Sequence, residues 1–220
     1  MIKAIICDFD GLIIDTELAL YEAFCDLLEV DSSELPINEY ANYIGTDSTE
    51  LYNFITMKTN GKMTKEEVIE RSHILHKEKL SFPIARGGVE AYLKEAKSKG
   101  MMIGLASSSN RAWVTYYLKK LNLFDYFDVI QTRDDVDKVK PDPALYRNVI
   151  NYLGIDPSEA IAFEDSGNGS KAAIAAGLKC VIIPNKITEN LDFENFHMRL
   201  NSMEEKELSK VIEIIEALYV

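Results

Sequence analysis

The first candidate for chemistry in the sequence is a pair of aspartates, Asp8 and Asp10, which follow its first apolar run, Ile2 to Cys7. If that run is a β-strand, the alternation of side chains points both carboxylates the same way. Neighbouring carboxylates repel each other unless a cation or a shared proton offsets the repulsion. A hard cation such as Mg²⁺ prefers carboxylate and carbonyl oxygens. Taken alone, the pair is equally consistent with an acidic strand end in solvent.

Two further groups could bind phosphate. Ser107 and Ser108 follow a second apolar run, Met101 to Ala106, and a hydroxyl with nearby backbone N–H groups can hold phosphate oxygens. Lys140 lies in a loop that two prolines stiffen, and its ammonium is a compact positive charge for a phosphate. Each has a simpler explanation on its own: a serine-rich turn before a helix, and a lysine at the surface.

A second acidic pair, Glu164 and Asp165, follows another apolar run, Ala160 to Phe163. Gly167 and Gly169 come next and allow a helix to begin close to the strand. Acids and glycines in this order suit a metal site, but the start of a capped helix explains them as well. Together, two acidic clusters, a hydroxyl and a lysine fall at strand ends or in loops on one side of a predicted parallel sheet. That combination is typical of phosphoryl transfer, which needs a nucleophile, a metal and cationic groups for the transferring oxygens.

The elements that must position these residues are predicted from apolar periodicity. Runs that are apolar throughout indicate strands buried on both faces of a parallel sheet. They are Ile2–Cys7, Met101–Ala106, Phe127–Gln131, Ala160–Phe163 and Cys180–Ile183. Helical patterns lie between them, at Gly87–Lys99, Arg111–Leu121, Pro143–Gly154 and Ser170–Ala176, with a last one after Asn201. This alternation predicts an α/β fold with a doubly wound parallel sheet, which binds ligands at the carboxyl ends of its strands.

Residues 16–81 break this rhythm, because they contain no convincing strand. Thr16 is a candidate N-cap for a first helix, and Thr64 with Glu67 has the spacing of a capping box. We therefore predict an all-helical domain over residues 16–81, inserted into a core domain formed by residues 1–15 and 82–220.

Composition limits the possible partners and location. The formal net charge is −12, which argues against nucleic acid and against an anionic membrane surface as partners. The three cysteines are widely spaced and form no CxxC pair, as expected in a reducing compartment. Asp8 and Asp10 interrupt the first apolar run, so no secretory leader is predicted. We expect a cytoplasmic location. A small phosphorylated metabolite as partner is expected from the phosphoryl-transfer residues rather than from composition, and a monomer is assumed.

In this order, the motifs resemble those of the haloacid dehalogenase superfamily, and within it the phosphatases and sugar phosphomutases similar to β-phosphoglucomutase. The resemblance spans nearly the whole chain. The residues that carry it are Asp8-Phe9-Asp10-Gly11 with Asp15-Thr16-Glu17, then Ser107, Lys140-Pro141-Asp142-Pro143, and Glu164-Asp165-Ser166 with Gly169.

The resemblance implies a role for each motif. Asp8 would attack phosphorus and become an aspartyl phosphate. Asp10 would protonate the leaving alcohol and then help to deprotonate the incoming water. Ser107, with Ser108 beside it, and Lys140 would bind the phosphoryl group.

The resemblance also implies a cofactor and a cap. Mg²⁺ would be held by Asp8, the backbone carbonyl of Asp10 and Asp165, with Glu164 close by. The helical insertion would be a cap domain that closes over the site and selects the substrate.

Two departures favour a hydrolase over a mutase. Leu20 stands where the resembling mutases have a histidine, and the loop Gly45–Ser48 lacks the arginine with which they hold a second phosphate. We therefore predict a Mg²⁺-dependent phosphatase that hydrolyses a small phosphomonoester, and family analogy favours a sugar phosphate. The alternatives are a hexose phosphate mutase of the β-phosphoglucomutase type and, in another class, a non-catalytic phosphate-binding or signalling protein on the same fold.

Overall fold

The computed structural model describes residues 1–43 and 48–218. Within these ranges the strands are β1 (Ala4–Cys7), β2 (Met102–Ala106), β3 (Val129–Gln131), β4 (Ala160–Glu164), β5 (Lys179–Ile182) and β6 (Met198–Arg199). The α-helices in the same ranges are α1 (Thr16–Leu28), α2 (Ile37–Ala41), α3 (Ser48–Lys58), α4 (Lys65–Lys79), α5 (Val89–Ser98), α6 (Arg111–Lys120), α7 (Ala144–Leu153), α8 (Gly167–Ala175) and α9 (Leu208–Ala217).

The strands form one parallel sheet in the order β3-β2-β1-β4-β5-β6. Cys7, at the end of β1, pairs with Leu105 on one side and Phe163 on the other. The carboxyl ends of the three central strands therefore meet at one edge of the sheet. The predicted doubly wound parallel sheet is confirmed, and each of the five predicted strands is present, with no end shifted by more than two residues.

The chain divides into two compact units. The sheet unit consists of Met1–Ile14, Pro83–Asn185 and the chain from Asp192 onward. Its apolar core includes the buried faces of α7 and α8 packed on the sheet, with Val149 and Ala172 fully buried. No helix in the described part of the chain is both long and apolar enough to cross a membrane.

The helical unit consists of Asp15–Phe82 and Lys186–Leu191. Phe24, Tyr40 and Ile55 are fully buried in its own apolar cluster. Ile187 belongs to the same cluster and is 1% exposed, so residues 186–191 pack with the helices. Residues 186–191 lie within the range 82–220 that was predicted as core domain, and they follow a strand of the sheet.

Helix starts differ in detail from those predicted. The N-cap of α1 is Asp15 rather than Thr16, because the Asp15 side chain accepts the N–H of Leu18 at 3.2 Å. Helix α8 begins at Gly167, three residues earlier than predicted, since the Ser166 side chain caps it. The capping box of Thr64 and Glu67 is confirmed. Residues 45–47 of the loop Gly45–Ser48, which bears one departure from the mutases, lie outside the described residues.

Candidate active site

The centre of the site is an ion-pair cluster between the ends of β1 and β4. Asp8 directly follows β1, is buried, and donates its backbone N–H to the carbonyl of Phe163. The Lys140 Nζ atom lies 2.5 Å from Asp8 Oδ1 and 2.5 Å from Glu164 Oε1. Burial lowers the pKa of Lys140, but the two carboxylates outweigh this and hold its pKa above the ordinary value. Lys140 is therefore a buried ammonium that links the nucleophile candidate to the second acidic pair.

Three buried carboxylates could hold a metal ion. Asp8, Glu164 and Asp165 each offer one oxygen, and these oxygens lie within 4.8 Å of one another. Burial raises the pKa of Asp8 to about 8; Lys140 opposes this shift and Glu164 adds to it. If all three acids are ionised, their charge exceeds that of the Lys140 ammonium by two. A hard divalent cation fits both this charge and the oxygen donors.

Glu164 is held on several sides. The Tyr146 hydroxyl donates to Glu164 Oε1 at 2.5 Å, and the Ser166 hydroxyl lies 3.4 Å from Oε2. A Cβ atom added to Gly169 would lie 1.9 Å from Oε2, so the helix can pass this carboxylate only with glycine at that position. This close approach is the helix–strand contact expected of Gly169, and Tyr146 is a partner that the sequence did not indicate.

Asp165 is held by Asn185, which was not predicted as a site residue. The Asn185 side chain donates to Asp165 Oδ2 at 2.8 Å, and its amide nitrogen lies 3.4 Å from the carbonyl oxygen of Gly11. Gly11 itself has φ +82°, and a Cβ there would lie 2.0 Å from Asp165 Oδ2. Asn185 is a polar residue that follows the end of β5, and that position could have identified it.

Asp10 is hydrogen-bonded through both of its carboxylate oxygens. The Ser109 hydroxyl donates to Oδ2 at 2.6 Å, and the Trp113 indole N–H donates to Oδ1 at 2.9 Å. Among the described residues, the carboxylate cluster consists of Asp8, Glu164 and Asp165, and the expectation that Asp10 offers a metal its backbone carbonyl stays a prediction. Neither Ser109 nor Trp113 was predicted as a partner of Asp10.

The phosphate-binding candidates lie beside these groups. Ser107 is buried at the end of β2, and its hydroxyl oxygen accepts the N–H of Ser109 at 3.0 Å. Ser109 therefore links Ser107 to Asp10, because its N–H bonds to Ser107 and its hydroxyl to Asp10. Lys140 contacts Asp8 directly. Ser108 lies between the two serines and is half-buried. The structure therefore brings together, at one sheet edge, the acidic, hydroxyl and lysine groups that the sequence singled out.

Comparison with known proteins assigns the family. Residues 5–183 match the family model described as haloacid dehalogenase-like hydrolase. The chain is 46% identical over 214 residues to YhcW of Bacillus subtilis (strain 168), which carries a provisional name as a phosphatase, and the alignment covers 97% of both chains. It is 30% identical over 181 residues to the phosphorylated carbohydrates phosphatase of Thermotoga maritima, covering 80% of this chain and 82% of that one.

A solved structure gives the same assignment. The crystal structure of a protein from Thermotoga maritima, provisionally named as a β-phosphoglucomutase, superimposes with a TM-score of 0.79. The two are 26% identical, and the match covers 96% of this chain and 99% of that chain. The chain therefore belongs to the haloacid dehalogenase-like hydrolases. Within them it is a phosphatase, a phosphoric monoester hydrolase related to sugar phosphate phosphatases and phosphoglucomutases.

Proposed function

We propose that the protein is a Mg²⁺-dependent phosphatase that hydrolyses the monophosphate ester of a small sugar or polyol through an aspartyl phosphate on Asp8. The observation that carries this proposal is the buried cluster of the Asp8, Glu164 and Asp165 carboxylates, in which Asp8 and Glu164 also form ion pairs with the Lys140 ammonium. The named activity of the Thermotoga maritima relative on phosphorylated carbohydrates supports the substrate class.

The acidic cluster fits the cofactor. Asp8, Asp165 and the backbone carbonyl of Asp10 would hold Mg²⁺, with Glu164 close by. When bound, the ion supplies positive charge to the phosphoryl oxygens. Lys140 adds a cation on the same side, and Ser107 and Ser108 offer hydrogen bonds to the remaining oxygens.

The chemistry assigned to this chain has two steps. In the first, an Asp8 carboxylate oxygen attacks phosphorus, the bond from phosphorus to the leaving oxygen breaks, and Asp10 gives that oxygen a proton. In the second, water attacks phosphorus, Asp10 takes a proton from it, and the bond between phosphorus and Asp8 breaks. Inorganic phosphate leaves, and both aspartates return to their starting states.

The helical unit is assigned the role of a cap that admits and selects the substrate. With a net charge of −12, the protein is assigned neither nucleic acid nor an anionic membrane as partner. We place it in the cytoplasm as a monomer that acts on a free metabolite.

Phosphate release from a panel of sugar, polyol and aryl phosphates tests the proposal. Each compound is assayed with Mg²⁺ and with chelator, on the wild type and on Asp8→Asn. Magnesium-dependent release that Asp8→Asn abolishes, without loss of folding, is expected. Release by Asp8→Asn at the wild-type rate would refute the assignment of the nucleophile.

A mutase is the second candidate, because of the structural match to the protein named as a β-phosphoglucomutase. The same panel separates the two activities. Transfer of phosphate between positions of one sugar in the presence of its bisphosphate, with little release of inorganic phosphate, would favour the mutase.

A further inference from the structure

Trp113 contacts Asp10 in a way that the family assignment does not account for. Its indole N–H donates to Asp10 Oδ1 at 2.9 Å, and it is the sole tryptophan of the chain. Its backbone is held as well, because the side chain of Asn110, the N-cap of α6, accepts the Trp113 N–H at 2.8 Å. The Tyr117 ring packs edge-on at 4.6 Å between centroids. The position of the indole is therefore restrained by contacts other than its hydrogen bond to Asp10.

The two donors to Asp10 restrain different parts of its carboxylate. Ser109 holds Oδ2 at 2.6 Å and Trp113 holds Oδ1, so rotation of the carboxylate plane would break one bond or the other. The last torsion of an aspartate is otherwise broad, and a single donor would leave the plane free to turn. Ser109 also donates its backbone N–H to Ser107, so this restraint is attached to the loop that carries the phosphate-binding candidate.

We propose that Trp113 is a positioning residue, which orients the Asp10 carboxylate for proton transfer to the leaving oxygen. The inference rests on the proposed function, since it assumes that Asp10 is the general acid. A buried or half-buried indole N–H usually finds a hydrogen-bond partner, but here the partner is the residue assigned to proton transfer. Trp113 touches Asp10 and acts through it.

Trp113→Phe tests the inference because it removes the N–H and keeps an aromatic ring against Tyr117. The control is Tyr116→Phe, on the same helix, where the side chain is exposed. The measurement is kcat/KM for two substrates: the best sugar phosphate of the panel, whose alkoxide needs a proton to leave, and p-nitrophenyl phosphate, whose phenolate leaves without one. This parameter reports the steps up to departure of the leaving group.

General acid catalysis contributes about 10²- to 10⁴-fold, and we expect Trp113→Phe to lose about tenfold of it on the sugar phosphate, since Ser109 still holds Asp10. On p-nitrophenyl phosphate the variant should stay within about twofold of the wild type, as should Tyr116→Phe on both substrates. An equal loss on both substrates would show a merely structural role. No loss on either would show that the N–H is not needed.

Fluorescence tests the contact without turnover. Because Trp113 is the sole tryptophan, Asp10→Ala, which removes both acceptor oxygens, should change its emission and its quenching by acrylamide, whereas Asp137→Ala, at an exposed acid elsewhere in the sheet unit, should not. Unchanged emission in Asp10→Ala would overturn the inference. If the wild type releases phosphate from neither substrate, the proposed function fails; if it does and the two losses are equal, only the positioning role fails.

Discussion

Gly169→Ala is a demanding test of the acidic cluster, because the new methyl group would occupy the place of the Glu164 carboxylate. The added Cβ would lie 1.9, 2.0 and 2.2 Å from the three carboxyl atoms of Glu164, whereas ordinary contacts begin near 3.4 Å. The carboxylate cannot simply swing away, since Lys140 and Tyr146 both hold it at 2.5 Å. Either the helix moves or the buried pair separates.

The size of the effect follows from these two outcomes. Overpacking a core costs about 1–3 kcal/mol, and separating one partner of a buried ion pair costs about 3–5 kcal/mol. We expect Gly169→Ala to lower the free energy of unfolding by about 3–5 kcal/mol, as measured by urea denaturation. Gly167→Ala, on the same helix, is the control: among the described residues its Cβ would come within 4 Å only of the Asp192 carbonyl oxygen, at 3.3 Å. It should stay within about 1 kcal/mol of the wild type.

A double variant gives the refuting result. In Glu164→Ala the space that the carboxylate fills is vacated, so adding Gly169→Ala should cost little, and alanine is the better helix former by about 1 kcal/mol. The two changes should therefore be strongly non-additive. Additive costs, or a harmless Gly169→Ala in the otherwise wild-type protein, would show that Glu164 is not held against the helix as described.

Two further predictions concern other charged or titratable groups. Lys140→Met leaves Asp8 and Glu164 buried without their ammonium, so turnover should fall while Mg²⁺ binds more tightly, as measured by calorimetry; weaker Mg²⁺ binding would contradict the charge balance described. Burial and Lys179 hold the pKa of His197 below its ordinary value of 6.5, and its Nδ1 accepts the N–H of Cys180. Because the unfolded state then binds more protons, the stability that His197 contributes is present above pH 6.5 and is lost as the pH falls below it. Urea denaturation on both sides of that pH should show a smaller decline in His197→Asn, and an unchanged decline would refute the assignment.

The site could be predicted from the sequence where strand ends alone determine proximity. Asp8 and Glu164 lie at the ends of adjacent parallel strands, so their meeting follows from the order of apolar runs and acids. Lys140 required more, because its loop precedes a helix and only the family pattern indicated where it points. In both cases the site residue adjoins a strand or helix that the sequence itself predicts.

Contacts that depend on the orientation of one element toward another could not be predicted. The bond from Trp113 to Asp10 requires α6 to face the β1 loop, and nothing at residue 113 indicates this. Strand β6 has two residues and no apolar run, so its pairing with β5 leaves no local pattern. Ile187 joins the helical cluster through long-range packing that local periodicity does not reveal.

The proposed function requires that Asp8 carries the phosphoryl group during turnover. The most direct measurement is mass spectrometry of the enzyme after acid quenching of its reaction with p-nitrophenyl phosphate and Mg²⁺. A phosphoryl adduct on the peptide that contains Asp8, absent from Asp8→Asn and from samples with chelator, is the predicted result. Steady release of phosphate with no adduct at any quench time, or with the adduct on another residue, would contradict the account.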